Sequence, residues 1–255
     1  MADYRLSPSD LTYLYDGCKH CFALKVKFGI QQPSIGLPAV FSTIANLQKD
    51  YYSGKRTETF CPALPPGVVR YGEKKVRSER IAFDGSPSTC YIQGRFDIVV
   101  EFDDGTYGVL DFKTASPTEE KSELYGRQLH AYTMALERPE GNSLHLSPVS
   151  RLGLLYFAPD RCEHMVEGRQ RLEGRMDWVE VNRNDDAFRK FLAGVVGLLD
   201  GPLPPPDPGS CDWCAYRVTT RGIRSVSGVT KPSDRVLNVP KPPAPDTTRR
   251  PPPKP

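Results

Sequence analysis

Two acidic residues and one lysine interrupt apolar segments in the middle of the sequence. Asp97 lies in segment 94–100, and Asp111 and Lys113 lie two residues apart in segment 108–114. An unpaired charge is costly to bury, so we expect these side chains to pair with one another or with a metal ion. Two carboxylates roughly 5 Å apart would suit Mg²⁺, and a neighbouring lysine could position water or stabilise charge on a phosphate. These residue types therefore indicate metal-assisted phosphodiester hydrolysis.

The same chemistry requires one particular hairpin register. A three-residue loop at 103–105 would pair Asp97 with Asp111, whereas a two-residue loop would place the two carboxylates on opposite faces. Gly105 suits the left-handed position of the longer loop. Asp111 and Lys113 share a face in either case, because side chains alternate along a strand.

The elements on either side of this hairpin follow from the periodicity of the sequence. Strand-like patterns over 76–83, 89–102 and 107–113 predict an antiparallel meander. A capping box at 116–119 then predicts a helix that ends before Pro139. Gln128 and Tyr132, four residues apart, would lie on the same face of that helix and reach a phosphate, a metal-bound water or Lys113.

The flanking segments complete a mixed arrangement of helices and strands. We expect a helix from Ser7-Pro8, a second over 40–52, and a third capped by Asn184 or Asp185 that ends at Gly201-Pro202. Two further strands are predicted at 152–157 and 176–181, separated by a charged loop.

Four of the seven cysteines form two Cys-x-x-Cys pairs near the ends of the predicted core: Cys18 with Cys21, and Cys211 with Cys214. Each pair can place two thiolates on one metal ion or cluster, and the four together would complete a ligand set. Such a site would join the first helix to the chain beyond the last one. Cys61, Cys90 and Cys162 have no partner spacing and are interpreted as incidental, and His20 is expected to be exposed beside the first pair.

Composition and charge set the domain organisation. A chain of 255 residues with 38% hydrophobic and 25% charged residues is typical of a globular protein. We expect one domain over 1–216 and a basic, Pro-rich, disordered tail over 217–255, which carries nine Lys or Arg against two Asp. No membrane span or export signal is evident, so a cytoplasmic location is predicted. The sequence does not indicate an oligomeric state.

The order and spacing of three motifs resemble the RecB-like branch of the PD-(D/E)XK nuclease superfamily. These motifs are Gly-Arg-Phe-Asp at 94–97, Asp-Phe-Lys-Thr at 111–114, and Gln128 with Tyr132. The resemblance implies an α/β fold with a restriction-endonuclease-like core, in which helices flank a central mixed β-sheet. It also implies Mg²⁺ or Mn²⁺ dependence and cleavage of DNA at duplex ends or in single strands.

The resemblance also assigns site residues and partners. The implied catalytic residues are Asp97, Asp111, Lys113, Gln128 and Tyr132, and the implied metal-binding positions are Asp97, Asp111 and Phe112. Enzymes of this kind work as exonucleases in DNA repair, recombination or CRISPR adaptation, so a helicase or another repair or CRISPR protein is an expected partner.

Two departures from the family pattern leave alternatives open. Segment 41–52 lacks the early-helix His that completes the metal shell in many relatives, with Gln48 and Asp50 as candidate substitutes. Glu79, on the strand before the motif, is a further candidate acid at or near the metal, or else an exposed strand charge. The last late cysteine of the usual [4Fe-4S] ligand set is missing, while the N-terminal pair has an extra one, so the four cysteines could hold a [4Fe-4S] cluster or a structural Zn²⁺. The alternatives to an active nuclease are an inactive PD-(D/E)XK module that binds nucleic acid or a protein, and a zinc-stapled interaction protein with structural carboxylates.

Overall fold

Two β-sheets lie at the centre of the computed structural model, which describes residues 1–33, 36 and 38–221. The first sheet has β5 (Thr89–Arg95) at its centre, paired with β1 (Asp3–Leu6), β3 (Lys75–Arg77) and β4 (Ile81–Ala82). The second sheet has the order β2 (Gly67–Gly72), β6 (Ile98–Phe102), β7 (Tyr107–Lys113), β8 (Val149–His164), β9 (Gln170–Glu180).

Helices flank both sheets. They are α1 (Tyr15–Gly17), which continues from a π-helical turn at Asp10–Leu14, α2 (Lys19–Phe28), α3 (Ala39–Tyr52), α4 (Glu119–Glu137), α5 (Asp185–Asp200) and α6 (Asp212–Thr220). Short 3₁₀ turns occur at Thr57–Thr59 and Val166–Gly168. None of the described helices is long and apolar enough to cross a membrane.

The five-stranded sheet is mixed, as predicted. Strands β7 and β8 run parallel, and its other neighbouring strands run antiparallel. The parallel pair is joined by α4, because parallel strands need a long crossover connection. The predicted α/β fold with a mixed sheet flanked by helices is therefore confirmed.

Apolar side chains cover both faces of this sheet. Val99, Val109 and Leu154 belong to a large core that includes residues of α4 and α5. Ile98, Val100, Leu110 and Phe112, which alternate with them along the strands, belong to a second core on the opposite face. The odd-numbered positions of β6 and β7 thus face the side on which α4 packs.

The prediction of one continuous strand over 89–102 is wrong. The chain bends at Phe96 and Asp97, so that β5 lies in one sheet and β6 in the other. The predicted strand at 76–83 is likewise divided, into β3 and β4. Neither break contains strong turn residues, and pairing with distant strands, not local sequence, decides where each segment ends.

Two further expectations differ from the structure, and two short strands were not expected. The charged loop expected between 157 and 176 is largely strand, because β8 and β9 extend into a long hairpin whose side chains are mostly exposed. Helix α4 begins after Thr118, which accepts a hydrogen bond from Lys121 N at 3.4 Å, and not at the predicted Ser116 cap. The short strands β1 and β2 were not predicted.

The start of α5 agrees with its prediction, and α6 extends beyond the predicted end of the domain. Asn184 caps α5, as predicted, by accepting a hydrogen bond from Ala187 N at 2.9 Å. Helix α6 continues to Thr220, which lies beyond the predicted end of the domain at 216. The conformation expected for the Pro-rich tail falls almost entirely on residues 222–255, outside the described part of the chain.

Candidate active site and cysteine cluster

The β6–β7 hairpin has the register that the carboxylate site requires. Ile98 pairs with Leu110, and Phe102 N donates to Thr106 O at 2.8 Å across a three-residue loop. Gly105 in this loop has a φ of +82°. Continuing the register by one residue places Asp97, which lies just before β6, opposite Asp111.

Asp97 is held by two neighbours. Its Oδ2 atom accepts a hydrogen bond from the main-chain nitrogen of Phe112 at 3.0 Å. Its Oδ1 atom lies 3.2 Å from the ammonium nitrogen of Lys49. The N–H group of Phe112 thus orients the Asp97 carboxylate. As a metal ligand, the role predicted for it, Phe112 could use only its main-chain oxygen.

Asp111 is buried between two polar side chains. Its Oδ2 atom lies 2.5 Å from Lys113 Nζ, and its Oδ1 atom accepts a hydrogen bond from Gln128 Nε2 at 3.1 Å. Lys113 also donates to Gln128 Oε1 at 3.3 Å. The Gln128 amide therefore contacts both members of the ion pair and fixes their relative positions.

Burial decides the electrostatics of this group. Burial raises the pKa of Asp111 to about 6; the nearby Lys113 lowers it and the charge of Asp97 raises it further. Burial works against the charged form of Lys113, but the adjacent Asp111 outweighs it and raises the pKa of the ammonium group. Lys113 is therefore protonated at neutral pH.

Tyr132 connects this group to the preceding strand. Its hydroxyl donates to Arg95 O at 2.6 Å, and Gln128 Nε2 lies 3.4 Å from the same hydroxyl oxygen. Gly94 allows this approach, because a Cβ atom there would lie 3.1 Å from the Tyr132 ring and 2.8 Å from Pro8. The glycine of the first motif is thus required by packing.

The structure brings together all five predicted catalytic side chains and adds Lys49, which sequence reasoning missed. Lys49 projects from α3, which contains the segment that lacks the metal-binding His of many relatives. The three candidate substitutes do not take this position: Gln48 contacts Met176 Sδ at 3.4 Å, and Asp50 and Glu79 are exposed. No local sequence signal marks Lys49, because lysine is common on exposed helix surfaces and is not a usual metal ligand.

The donor set fits a divalent ion. Asp97 and Asp111 are carboxylates on neighbouring strands, and oxygen ligands of this kind suit Mg²⁺ or Mn²⁺. Asp111 Oδ2 is buried and accepts no hydrogen bond within the described residues, although it pairs electrostatically with Lys113. A buried acceptor of this kind is costly unless a cation or donor satisfies it.

Comparison with known proteins agrees with this geometry. A family model described as the PD-(D/E)XK nuclease superfamily matches residues 37–219, most of the chain.

The chain belongs to the PD-(D/E)XK nuclease superfamily.

A search of curated proteins gave no match. Among solved structures, the chain is similar to the one titled "Crystal structure of SSO0001", with 16% sequence identity, a TM-score of 0.46, and coverage of 84% of each chain.

This superfamily member also contains a second cluster with the chemistry of a metal site. The sulfur atoms of Cys18, Cys21, Cys211 and Cys214 all lie within 4.8 Å of one another. Three of the distances are 3.7 Å (Cys18 to Cys214), 3.7 Å (Cys21 to Cys214) and 3.9 Å (Cys21 to Cys211). The four cysteines singled out from the sequence are therefore assembled, and they could bind a metal.

Local structure explains how each pair presents its thiols. Cys18 is the N-cap of α2, and its sulfur accepts from Cys21 N at 3.5 Å. Cys211 directly precedes α6, and Gln32 donates to its sulfur at 3.6 Å. Burial raises the pKa of the Cys21 and Cys214 thiols, whereas at Cys211 hydrogen bonds, first that from Cys214 N, outweigh burial and lower the thiol pKa.

The spacing of the sulfur atoms tests which metal group fits. Four thiolates at roughly 2.3 Å from one tetrahedral zinc ion lie about 3.8 Å from one another. In a [4Fe-4S] cubane each thiolate binds a different iron atom, so the sulfur atoms must lie farther apart with the cluster between them. The distances of 3.7 to 3.9 Å given above are close to the first of these two spacings.

His20 differs from its prediction. It is buried, and its Nδ1 atom lies 2.6 Å from Pro204 O. It therefore ties α2 to the Pro-rich connection before α6 and is not exposed. Of the cysteines interpreted as incidental, Cys61 and Cys90 are buried and Cys162 is exposed.

A large cleft lies apart from the carboxylate group. It has a volume of about 930 Å³ and lies between α4 and α5, where Arg127, His130 and Phe188 contribute to its lining. None of the five predicted catalytic residues lines it. We place the candidate active site at the carboxylates, because Asp111, Lys113 and Gln128 contact one another there.

Proposed function

We propose that this chain is a Mg²⁺- or Mn²⁺-dependent nuclease of the RecB-like branch that hydrolyses DNA. The observation that carries the proposal is the meeting of Asp97, Asp111, Lys113 and Gln128 in one group, in which Asp111 and Gln128 are buried, in a chain that belongs to a nuclease superfamily. The motif set at 94–132 supports the RecB-like assignment.

Asp97 and Asp111 would hold the divalent ion, with Phe112 as a further main-chain position. When bound there, the ion supplies Lewis-acid chemistry toward a phosphodiester and an attacking water. The Phe112 N–H group holds Asp97 in place, and Gln128 holds Asp111 and Lys113. Lys113 keeps its proton and stabilises the negative charge that develops on the phosphate.

A cleavage assay tests this function. Purified protein is incubated with fluorescently labelled single-stranded, duplex and RNA oligonucleotides, with Mg²⁺, Mn²⁺ or EDTA. We expect cation-dependent DNA cleavage that Asp111→Ala and Lys113→Ala each reduce at least 100-fold, while the exposed-site control Asp50→Ala retains it. Binding of nucleic acid without cation-dependent cleavage would instead favour the inactive-module alternative.

An aromatic pair beside Lys113 supports single strands or frayed ends as the substrate. The Tyr125 ring lies 4.2 Å from Lys113 Nζ, and the half-exposed Tyr13 ring lies 5.8 Å from Tyr125 in an edge-to-face contact. An unpaired base can stack on such a ring, whereas a base within a duplex cannot. Tyr13→Ala should weaken single-strand binding about tenfold relative to Tyr13→Phe, and equal effects on duplex binding would oppose this substrate.

We further propose that the four cysteines hold one structural Zn²⁺, supported by the sulfur spacing. Metal analysis of protein purified without oxygen tests this, with about one zinc per chain and no visible absorbance as the expected result. A brown sample containing iron would support the [4Fe-4S] alternative. A helicase, repair or CRISPR partner, and a cytoplasmic location, stay predictions from the sequence.

A further inference from the structure

We propose that Lys49 is a counter-ion of Asp97 that a divalent ion displaces. Once displaced, the ammonium group of Lys49 binds the substrate phosphate. This inference rests on the proposed nuclease function and deepens it. It assigns a role to a residue of α3 that lies outside the three motifs.

The position of Lys49 carries the inference. Its Nζ atom lies 3.2 Å from Asp97 Oδ1 and also contacts Glu73 Oε1. The side chain is only 13% exposed, although α3 lies at the surface of the protein. Phe112 N donates to Asp97 Oδ2 and Lys49 contacts Oδ1, so a cation that binds Oδ1 competes with the Lys49 ammonium group.

The helix that carries Lys49 is fixed to the catalytic strand. Tyr52, one turn further along α3, stacks on Phe112 with ring centroids 5.8 Å apart and an interplanar angle of 13°. Phe112 lies between Asp111 and Lys113 in β7. Lys49 is therefore aimed at the carboxylates by packing, while its long side chain keeps the freedom to change partners.

Glu73 offers Lys49 a second partner. Its backbone is held in the left-handed region, with φ of 53°, and its N–H group donates to Asp97 O at 3.0 Å. A non-glycine residue in this conformation carries strain, and such strain is concentrated at functional sites. Lys49 can leave Asp97 and keep its contact with Glu73, so its ammonium group stays paired with a carboxylate after displacement.

Charge balance couples metal binding to phosphate binding. Three carboxylates, Asp97, Asp111 and Glu73, are matched here by three cations, Lys49, Lys113 and Arg95, with Arg95 Nη1 3.3 Å from Glu73 Oε2. A divalent ion adds two positive charges to this balanced group, and a phosphodiester adds one negative charge that offsets part of them. Each ligand therefore favours binding of the other.

Binding of Mn²⁺ to the full-length protein, measured by electron paramagnetic resonance without nucleic acid, tests the proposal. Lys49→Met should tighten Mn²⁺ binding roughly tenfold, because it removes a competing cation from Asp97. Lys49→Gln, which keeps a polar side chain, should do the same. Lys74→Met removes an equal charge from an exposed neighbouring position and should leave the affinity unchanged.

A second titration examines the coupling. A phosphorothioate oligonucleotide that resists cleavage should tighten Mn²⁺ binding to the unmodified chain, and should do so less in both Lys49 variants. Unchanged or weaker Mn²⁺ binding by Lys49→Met and Lys49→Gln would overturn the inference.

The same measurements separate this inference from the nuclease proposal. If Asp111→Asn abolishes Mn²⁺ binding while the Lys49 variants bind like the unmodified chain, the metal site stands and the role of Lys49 is refuted. If neither the unmodified chain nor the Lys49 variants bind Mn²⁺ at millimolar concentrations, both proposals fail.

Discussion

The amide nitrogen of Gln128 lies 3.1 Å from Asp111 Oδ1, and its amide oxygen accepts a hydrogen bond from Lys113. One uncharged side chain on α4 thus forms hydrogen bonds with both charged residues at the end of β7. The crossover from β7 through α4 to the parallel strand β8 creates this relationship, because it returns the helix over the strand that carries the charges.

Replacing Gln128 by Leu should slow cleavage by roughly 10- to 100-fold, since residues that orient metal ligands typically have effects of this size. The fold should persist, because Leu fills a similar volume. Single-turnover rates measure the effect, with the exposed Gln170→Leu as the matched control. Equal rates for Gln128→Leu and the unmodified chain would show that the bridge has no positioning role.

Cation binding should depend on pH through Asp111, whose pKa burial raises to about 6. A metal ligand must lose its proton, so protons compete with the cation below this pH. We expect the Mn²⁺ dissociation constant to rise by about tenfold per pH unit below pH 6 and to level off above pH 7. Calorimetric titrations between pH 5 and 8 check this, and a flat profile over that range would argue against Asp111 as a ligand.

Gly94→Ala should disturb the site through packing. The new Cβ would lie 2.8 Å from Pro8 and 3.1 Å from Tyr132, so Tyr132 must shift and strain its hydrogen bond to Arg95 O. Overpacking of this kind costs about 1–3 kcal/mol. Thermal unfolding measures the loss, and Gly17→Ala, where the added methyl meets no atom within 4 Å, should not be destabilised.

Removing the proposed zinc ion should destabilise the whole described domain, because the four cysteines join α2 to α6 across 190 or more residues of sequence. Cys214→Ser should lower the melting temperature by roughly 10 °C, which corresponds to several kcal/mol at this chain length. The exposed Cys162→Ser serves as the control. A melting temperature unaffected by Cys214→Ser or by a strong chelator would contradict a structural metal.

Local sequence rules were sufficient for the centre of the site. The loop at 103–105 and the alternation of side chains fix the hairpin register, and the capping residues after Lys113 predict α4. The positions of Asp97, Asp111, Lys113 and Gln128 could therefore be predicted from the sequence. Capping rules place helix starts to within a few residues: α4 begins two residues after its predicted cap, at Thr118, whereas Asn184 caps α5 as expected.

Contacts between distant segments could not be predicted in this way. Lys49 reaches Asp97 across 48 residues of sequence, and nothing in its own helix identifies it as part of the site. The break between β5 and β6 likewise depends on which sheet each segment joins. The distances between the sulfur atoms, on which the zinc proposal rests, are likewise not contained in a Cys-x-x-Cys spacing.

The location of a bound divalent ion tests the central claim most directly. Crystals of the protein soaked in Mn²⁺ should show an anomalous scattering peak between the carboxylates of Asp97 and Asp111, and Asp111→Asn crystals should lack it. The absence of such a peak from the unmodified protein, or a peak that persists in Asp111→Asn, would contradict the account.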